Sequence, residues 1–279
     1  MSRLDDAFKN KPIFMPYFPL GYPNIPTSVD VIESLAKNGA DVVEVGLSFS
    51  DPLADGPVIQ RATQVALEQG ITIPKSLAAV AELRKRGVSI PLILMGYYNP
   101  ILSYGLARFV NDAQAAGADG FIIPDLPPEE AGEFETTLTN ASGLDTPGEH
   151  RLPFDKPRTS LDLRLPLIHM LAPTSPGERM EMIARNAMGF IYLVSVTGIT
   201  GERREMSAGL AELIAQVRAH TSAPVCVGFG IGTPEQAKAV GALADGVIVG
   251  TACVRAIGAS KTPVQTAKEF AKSFADALK

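Results

Sequence analysis

The sequence predicts an α/β protein whose strands form one eight-stranded parallel barrel, and three observations point to it. Short apolar runs alternate with loops and amphipathic stretches along the whole 279-residue chain, which is typical of repeated βα units. The runs are mostly continuous in apolar residues, as expected for strands covered on both faces. The chain also has the length of a single-domain (β/α)8 TIM barrel, which takes about 250 residues.

Eight apolar runs are the predicted strands: residues 13–18, 42–46, 92–96, 120–124, 167–171, 190–194, 225–227 and 247–249. The amphipathic stretches between them predict helices, most clearly over residues 29–37, 58–68, 75–85, 106–116 and 234–240. A Gly-Ala-Asp-like pattern precedes the second, fourth and eighth runs, at residues 39–41, 117–119 and 244–246. Such a pattern is a common link from helix to strand, so by itself it leaves an open sheet as the alternative.

Residues 140–164 interrupt this alternation of predicted strands and helices. The segment has no helical or strand period and is long for a loop inside a barrel. We interpret the chain as one domain, residues 1–279, with an irregular insertion here. The segment follows a helix and precedes a strand, so we expect it on the amino-terminal face, away from the face that carries barrel chemistry.

Composition and charge argue against several classes of function. Lys and Arg total 25 against 30 for Asp and Glu, a net charge of −5, which offers no basic surplus for nucleic acid. No apolar run is long enough for a membrane span, and the first residues do not resemble a signal peptide. Cys226 and Cys253 form no close-spaced metal motif, so we expect a reduced, cytoplasmic chain that acts on a small molecule.

Two acidic residues are the candidate catalytic groups. Glu44 stands among valines inside the second predicted strand, where burial should raise the pKa of its carboxyl toward that of a general acid/base. Asp55 lies in the turn-rich loop that follows, above the same barrel mouth. For Glu44 the alternatives are a structural ion pair or a hydrogen-bonded core acid. For Asp55 the alternative is a helix N-cap, because Asp55 precedes Gly56 and Pro57.

Glycines at the other end of the chain indicate an anion site. Residues 228–232 follow the seventh run, and Gly250 and Thr251 follow the eighth at the start of a short predicted helix, residues 252–257. The loops after strands seven and eight are the usual phosphate site of this architecture. The loop of residues 195–204 could close over a ligand or be an ordinary exposed loop, and Tyr192 before it could face the site or the core. The three histidines are scattered and predict no metal site.

Several stretches resemble the tryptophan synthase α subunit family. They are residues 44–57 (EVGLSFSDPLADGP), 95–100 (MGYYNP), 124–130 (PDLPPEE), 189–195 (GFIYLVS), 197–201 (TGITG) and 228–231 (GFGI). The resemblance runs from about Phe14 to the C-terminus and is interrupted only near residues 140–164. It implies a barrel enzyme of tryptophan biosynthesis, a carbon–carbon lyase that cleaves indole-3-glycerol phosphate by a retro-aldol reaction without a cofactor of its own.

The resemblance also implies roles for individual residues. Glu44 matches the family's general acid/base, and Asp55 matches the acid that hydrogen-bonds the indole N–H and stabilises the positive intermediate. The implied substrate-binding residues are Tyr192 and the apolar Leu94, Ile59 and Met95 of the indole pocket, with Thr200, Gly201, Phe229, Gly230, Gly250 and Thr251 toward the phosphate.

The family works as an α2β2 heterotetramer in which indole passes to a β subunit that carries pyridoxal phosphate. Asp51 and residues 125–127 match segments that face this partner, and Ser48 stands where many members have proline. Three other hypotheses remain: a regulatory subunit that only activates a β partner, a lyase that works alone, and a sugar-phosphate isomerase on the same fold.

Overall fold

The computed structural model describes residues 2–141, 165–194, 203–228 and 230–279. Within them, nine parallel strand segments form one sheet in the order β5-β4-β3-β2-β1-β9-β8-β7-β6. The strands are β1 (Ile13–Pro19), β2 (Val43–Gly46), β3 (Leu92–Met95), β4 (Gly120–Ile122), β5 (Leu167–Ile168), β6 (Met170–Leu171), β7 (Ile191–Val194), β8 (Val225–Gly228) and β9 (Gly246–Val249).

The sheet closes through His169, the single residue between β5 and β6. Ile168 pairs with Ile122 of β4, whereas Met170 pairs with Tyr192 of β7. The His169 carbonyl accepts a hydrogen bond from the Tyr192 N–H at 3.2 Å. The predicted fifth strand is therefore one strand interrupted at one residue, and the eight-stranded barrel predicted from the sequence is confirmed.

Helices surround the barrel, and each helix predicted from the amphipathic pattern is present. Those of the described residues are α1 (Arg3–Ala7), α2 (Ile25–Lys37), α3 (Pro57–Glu68), α4 (Ile73–Lys85), α5 (Tyr98–Tyr104), α6 (Leu106–Ala116), α7 (Gly132–Ala141), α8 (Gly177–Asn186), α9 (Arg203–Arg218), α10 (Pro234–Gly241), α11 (Thr251–Gly258) and α12 (Pro263–Leu278), with a 3-10 turn at Pro128–Glu130. None of these helices is both long and apolar enough to span a membrane.

The irregular segment predicted at 140–164 begins slightly later than expected. Asn140 and Ala141 are the last residues of α7, because the helical hydrogen bonding continues through them. The rest of the segment, residues 142–164, lies outside the described residues.

The Gly-Ala-Asp pattern has a structural cause that the sequence did not reveal. The carboxylates of Asp41, Asp119 and Asp245 accept hydrogen bonds at 2.8, 2.8 and 2.9 Å from backbone N–H groups at the start of the adjacent strand. Each aspartate's own N–H returns a bond to the carbonyl of the same partner residue. This reciprocal pair, seen three times, joins neighbouring strands at the amino-terminal end of the barrel.

The two faces of each strand pack against different partners. Phe121 of β4 points outward, because its ring lies 5.4 Å from that of Phe109 in α6 and 5.5 Å from that of Phe134 in α7. Residues paired with Phe121 across the parallel ladder share its face, since side chains alternate along a strand. The alternate residues fill the barrel interior, which reaches the carboxyl ends of the strands.

Candidate active site

Glu44 projects into the barrel from β2 and is buried, with 1% of its surface exposed. Its register partner in β1 is Tyr17, so the two side chains enter the interior side by side. Among the described residues, no hydrogen-bond partner meets the Glu44 Oε1 atom. Burial, helped by the negative charge of Asp55, raises the pKa of Glu44 to about 8. This is the value expected of a proton donor and acceptor near neutral pH. Among the described residues no cation pairs with Glu44, so they show no structural ion pair for it.

Asp55 lies half-buried in the loop between β2 and α3. The residue that caps α3 is Gly56, which makes no side-chain bond, so the N-cap interpretation of Asp55 is wrong. The Asp55 carboxylate instead accepts a hydrogen bond from the Tyr97 hydroxyl at 3.0 Å. Burial raises the pKa of Asp55, and the Tyr97 bond opposes that rise because it stabilises the charged form. The two candidate acids therefore differ in environment, because Glu44 is buried with an unpartnered Oε1 atom in the described chain and Asp55 is hydrogen-bonded.

Two buried tyrosines flank these acids from opposite parts of the barrel. Tyr17 of β1 covers Gly46, and Tyr192 of β7 covers Gly228, so that a Cβ on either glycine would overlap the tyrosine hydroxyl. Both phenols have a pKa raised well above the usual value, by burial first and then by the charges of Glu44 and Asp55. Tyr192 thus faces the interior beside the candidate acids, and the two phenols stay neutral.

The predicted phosphate residues lie partly within the described chain. Gly250 is the N-cap of α11 and Thr251 is its first residue. The N–H groups of a first helical turn have no partner within the helix and point outward from its amino-terminal end. A Cβ on Gly250 would contact the Ile59 Cδ1 atom at 3.6 Å and the Tyr17 Cβ atom at 3.7 Å, which places this helix end beside the interior. Gly230 has φ of +76°, and among the described residues no atom would lie within 4 Å of a Cβ added to it. Thr200, Gly201 and Phe229 lie outside the described residues, as do residues 195–202 of the loop predicted after Tyr192.

The indole-pocket expectation needs one change. Leu94 pairs with Val45 on one side and Phe121 on the other, so it shares the outward face that packs against the helices. Met95 pairs with Gly46, two residues after Glu44, and so lies on the inward face. Leu94 is therefore misplaced as a pocket wall. Met95 and Ile59 remain candidates.

Two residues of the candidate site, Tyr97 and Tyr17, were not singled out in the sequence. Tyr97 was seen only within the MGYYNP stretch, and nothing local indicates that its hydroxyl reaches a loop 42 residues earlier. Tyr17 lies in an apolar run, and hydrophobicity alone does not show which side chains of such a run point into the barrel. Its position opposite Glu44 follows only from the register.

No metal centre is found in the described part of the chain, where no group of three or more His, Cys, Asp or Glu side chains could hold an ion. His169 is buried and its Nε2 atom lies 3.2 Å from the Glu135 carboxylate. Because Glu135 belongs to α7, this pair joins the barrel wall to that helix and does not involve the candidate acids.

Comparison with known proteins finds one family that matches nearly the whole chain. The family model described as "Tryptophan synthase alpha chain" matches residues 4–146 and 143–279. The tryptophan synthase alpha chain of Roseiflexus castenholzii is 45% identical over 262 residues, covering 92% of each chain. That of Dehalococcoides mccartyi is 43% identical over 251 residues, covering 90% of this chain and 89% of the relative.

This chain belongs to the tryptophan synthase alpha chain family.

Solved structures of the family have the same fold. The crystal structure of tryptophan synthase from M. tuberculosis in its aminoacrylate-bound form matches with a TM-score of 0.82 and 32% identity over the full length of both chains. The alpha subunit from Legionella pneumophila matches with a TM-score of 0.83 and 36% identity, covering all of this chain and 98% of that one.

Ser48, where the resemblance led us to expect proline, makes a bond of its own. It donates a hydrogen bond from Oγ to the Leu20 carbonyl at 3.3 Å. The serine therefore ties the start of the Asp55 loop to the end of β1. A proline would restrict the same segment through its ring instead.

Proposed function

We propose that this chain cleaves indole-3-glycerol phosphate to indole and glyceraldehyde 3-phosphate, with Glu44 and Asp55 as its catalytic residues. The observation that supports this best is that the charge of Asp55 acts on the buried Glu44, while the two carboxyl groups have different hydrogen-bonding environments. Membership of the tryptophan synthase alpha chain family supplies the reaction, a retro-aldol carbon–carbon lyase step in tryptophan biosynthesis.

Glu44 is the proposed general acid and base. With a pKa of about 8 it is largely protonated at neutral pH, so it can give its proton to the indole carbon that carries the glycerol chain. Breaking the carbon–carbon bond returns an electron pair to the indole ring. The glycerol hydroxyl next to that bond becomes the aldehyde and loses its proton, which the ionised Glu44 accepts.

Asp55 is the proposed electrostatic partner. Protonation of the indole carbon places positive charge on the ring nitrogen, and a fixed carboxylate beside that nitrogen stabilises the charge. The bond from Tyr97 favours the ionised form of Asp55 that this role requires. An interior site with little water strengthens the attraction between the two charges.

The substrate phosphate is proposed to bind where Gly250 and Thr251 begin α11, with Gly230 alongside. Backbone N–H groups at a helix start bind an anion without a lysine. Thr200, Gly201 and Phe229 belong to this proposal through the family resemblance. Tyr192, Ile59 and Met95 are the proposed contacts of the indole part.

A tryptophan synthase β subunit is the proposed partner, in an α2β2 heterotetramer whose pyridoxal phosphate belongs to the β chain. Leu53, in the Asp55 loop, has 90% of its surface exposed, and Asp51 beside it is also exposed. An exposed leucine next to a charge is typical of the rim of an interface. The free, buried cysteines Cys226 and Cys253 support a reducing compartment such as the cytoplasm.

A regulatory subunit without activity is the second candidate. It would have no use for Glu44, because an acid buried without a hydrogen bond in the described chain costs stability. The exposed Leu53 fits either candidate, so the two must be separated by catalysis.

Indole release from indole-3-glycerol phosphate tests the proposal. The purified chain is assayed alone and with a tryptophan synthase β subunit, beside Glu44→Gln and Asp55→Asn. We expect slow turnover alone, faster turnover with the β subunit and loss of turnover in both variants. No indole under any condition, together with a rise in β-subunit activity, would instead establish the regulatory role. High turnover that the β subunit leaves unchanged would indicate a lyase that works alone.

A further inference from the structure

We propose that Tyr97 is a positioning residue of this site, whose hydroxyl holds the β2–α3 loop in place and orients the Asp55 carboxylate toward the barrel interior. The inference rests on the proposed function, in which Asp55 faces the positive intermediate. It adds a residue to which the motif comparison assigned no role.

One phenol oxygen makes two bonds to adjacent residues of the loop. It accepts a hydrogen bond from the Ala54 N–H at 3.0 Å and donates one to the Asp55 Oδ2 atom at 3.0 Å. Because a phenol has a single proton, acceptance from Ala54 leaves that proton for Asp55. The loop backbone and the carboxylate are thus tied to one point.

Tyr97 itself is part of the rigid scaffold. It is buried, follows β3 directly after Gly96, and caps the start of α5. Its ring lies 5.6 Å from the ring of Phe49, and the Gly96 N–H bonds to the Ile122 carbonyl of β4 at 3.1 Å. A side chain on a loop is held more accurately when its partner belongs to the barrel wall.

The titratable groups packed around Asp55 make this bond important. Glu44 from β2 is largely protonated at neutral pH, and Tyr17 from β1 and Tyr192 from β7 are neutral phenols. Burial first, and then the charges of Asp55 and of Asp125 after β4, raise the pKa of Tyr97, so Tyr97 keeps its proton. Burial also favours a protonated Asp55, and the Tyr97 hydroxyl acts in the opposite direction.

Tyr97→Phe tests the inference, because it removes the hydroxyl and keeps the ring that packs on Phe49. The control is Tyr98→Phe, the same change at the next residue, whose ring packs edge-on against Phe134. Replacement of Tyr97 by 3-fluorotyrosine, a more acidic phenol that donates a stronger bond, gives the opposite perturbation. All chains are assayed for indole release across pH, and thermal unfolding confirms that each is folded.

We expect Tyr97→Phe to lower kcat about 10-fold to 100-fold with KM changed less than about twofold. The acid limb of the pH–rate profile of Tyr97→Phe should move up by about one pH unit, because Asp55 loses the bond that favours its ionised form. The 3-fluorotyrosine chain should shift that limb down, and Tyr98→Phe should behave like the parent. The same order should appear in a ¹³C NMR titration of the Asp55 carboxyl, assigned with Asp55→Asn.

An acid limb and an Asp55 titration that stay unchanged in Tyr97→Phe would overturn the inference, as would a change in KM alone. If Tyr97→Phe does not fold, an unchanged limb in the 3-fluorotyrosine chain overturns it. Failure of the proposed function is seen separately, as turnover that persists in Asp55→Asn. In that case the NMR titration alone decides whether Tyr97 controls the Asp55 carboxyl.

Discussion

Tyr17 and Glu44 are register partners in β1 and β2, and the Tyr17 ring covers Gly46, two residues beyond Glu44. The acid is therefore enclosed by a large aromatic side chain that can approach only because residue 46 has no Cβ. Tyr192 of β7 and Gly228 of β8 repeat this relationship on the other side of the barrel. The dry environment that raises the pKa of Glu44 is produced by these pairs of a tyrosine and a glycine.

Glu44→Gln should lower turnover by at least about 10²-fold while the chain stays folded, because glutamine cannot transfer the proton and general acid–base catalysis contributes about this much. The exposed Glu68 on α3 gives a matched control, and Glu68→Gln should leave the rate unchanged. Steady-state indole release measures both. Near-normal turnover in Glu44→Gln would remove this residue from the mechanism.

The same variant should change how stability depends on pH. With a pKa of about 8 when folded and 4.5 as its ordinary value, Glu44 keeps its proton in the folded state while the unfolded chain loses it. Parent stability should therefore fall by up to about 1.4 kcal/mol per pH unit between these two values.

The stability of Glu44→Gln does not fall in this way between pH 4.5 and 8. Its free energy of unfolding relative to the parent should therefore be lowest near pH 4.5 and highest above pH 8. Urea unfolding at a series of pH values measures the difference, with Glu68→Gln again as the control. A difference independent of pH would contradict a raised pKa at Glu44.

Gly46→Ala should destabilise the chain by about 1–3 kcal/mol, because the new methyl group would overlap the Tyr17 phenol. Gly177→Ala, at the start of α8, is the control, because an added Cβ there would meet no other described part of the chain within 4 Å, and it should change stability by less than about 0.5 kcal/mol. Denaturant unfolding measures both. Tyr17→Phe should relieve part of the loss, and equal costs for the two alanines would contradict this packing.

Ser48→Pro should leave turnover within about twofold and change the free energy of unfolding by less than about 1 kcal/mol. The proline exchanges a long hydrogen bond to Leu20 for a restriction of the unfolded chain, and these effects are similar in size. Ser48→Ala loses the bond without the restriction and should be the less stable variant. Thermal unfolding and indole release distinguish them, and a proline variant without activity would show that the Asp55 loop needs the serine.

Deletion of residues 143–163, with a short Gly-Ser link, should leave the rate of indole release within about twofold. The described elements on either side are α7 and β5, so we expect the segment near the amino-terminal ends of the strands. The active sites of such barrels lie at the carboxyl ends. Circular dichroism verifies the fold of the shortened chain. Loss of activity in a folded deletion variant would place this segment near the site.

The pattern of apolar residues was enough to predict the barrel, and Glu44 and Asp55 could be singled out as candidate acids before the structure was known. Eight apolar runs at barrel spacing predicted the strands, because parallel strands buried on both faces must be apolar throughout. For the same reason the sequence could not tell which residues of a strand point inward. Leu94 and Met95 look alike in an apolar run, and only the pairing with Val45 and Gly46 separates the helix-facing residue from the interior one.

Contacts between distant segments could be identified only in the folded chain. The bond from Tyr97 to Asp55, the meeting of Tyr17 with Glu44, and the His169–Glu135 pair each join residues from different βα units. Hydrophobic periodicity reports only which residues are apolar and how a local segment folds. Which side chains meet depends on strand order, register and barrel closure, and these properties are set by the packing of the whole chain.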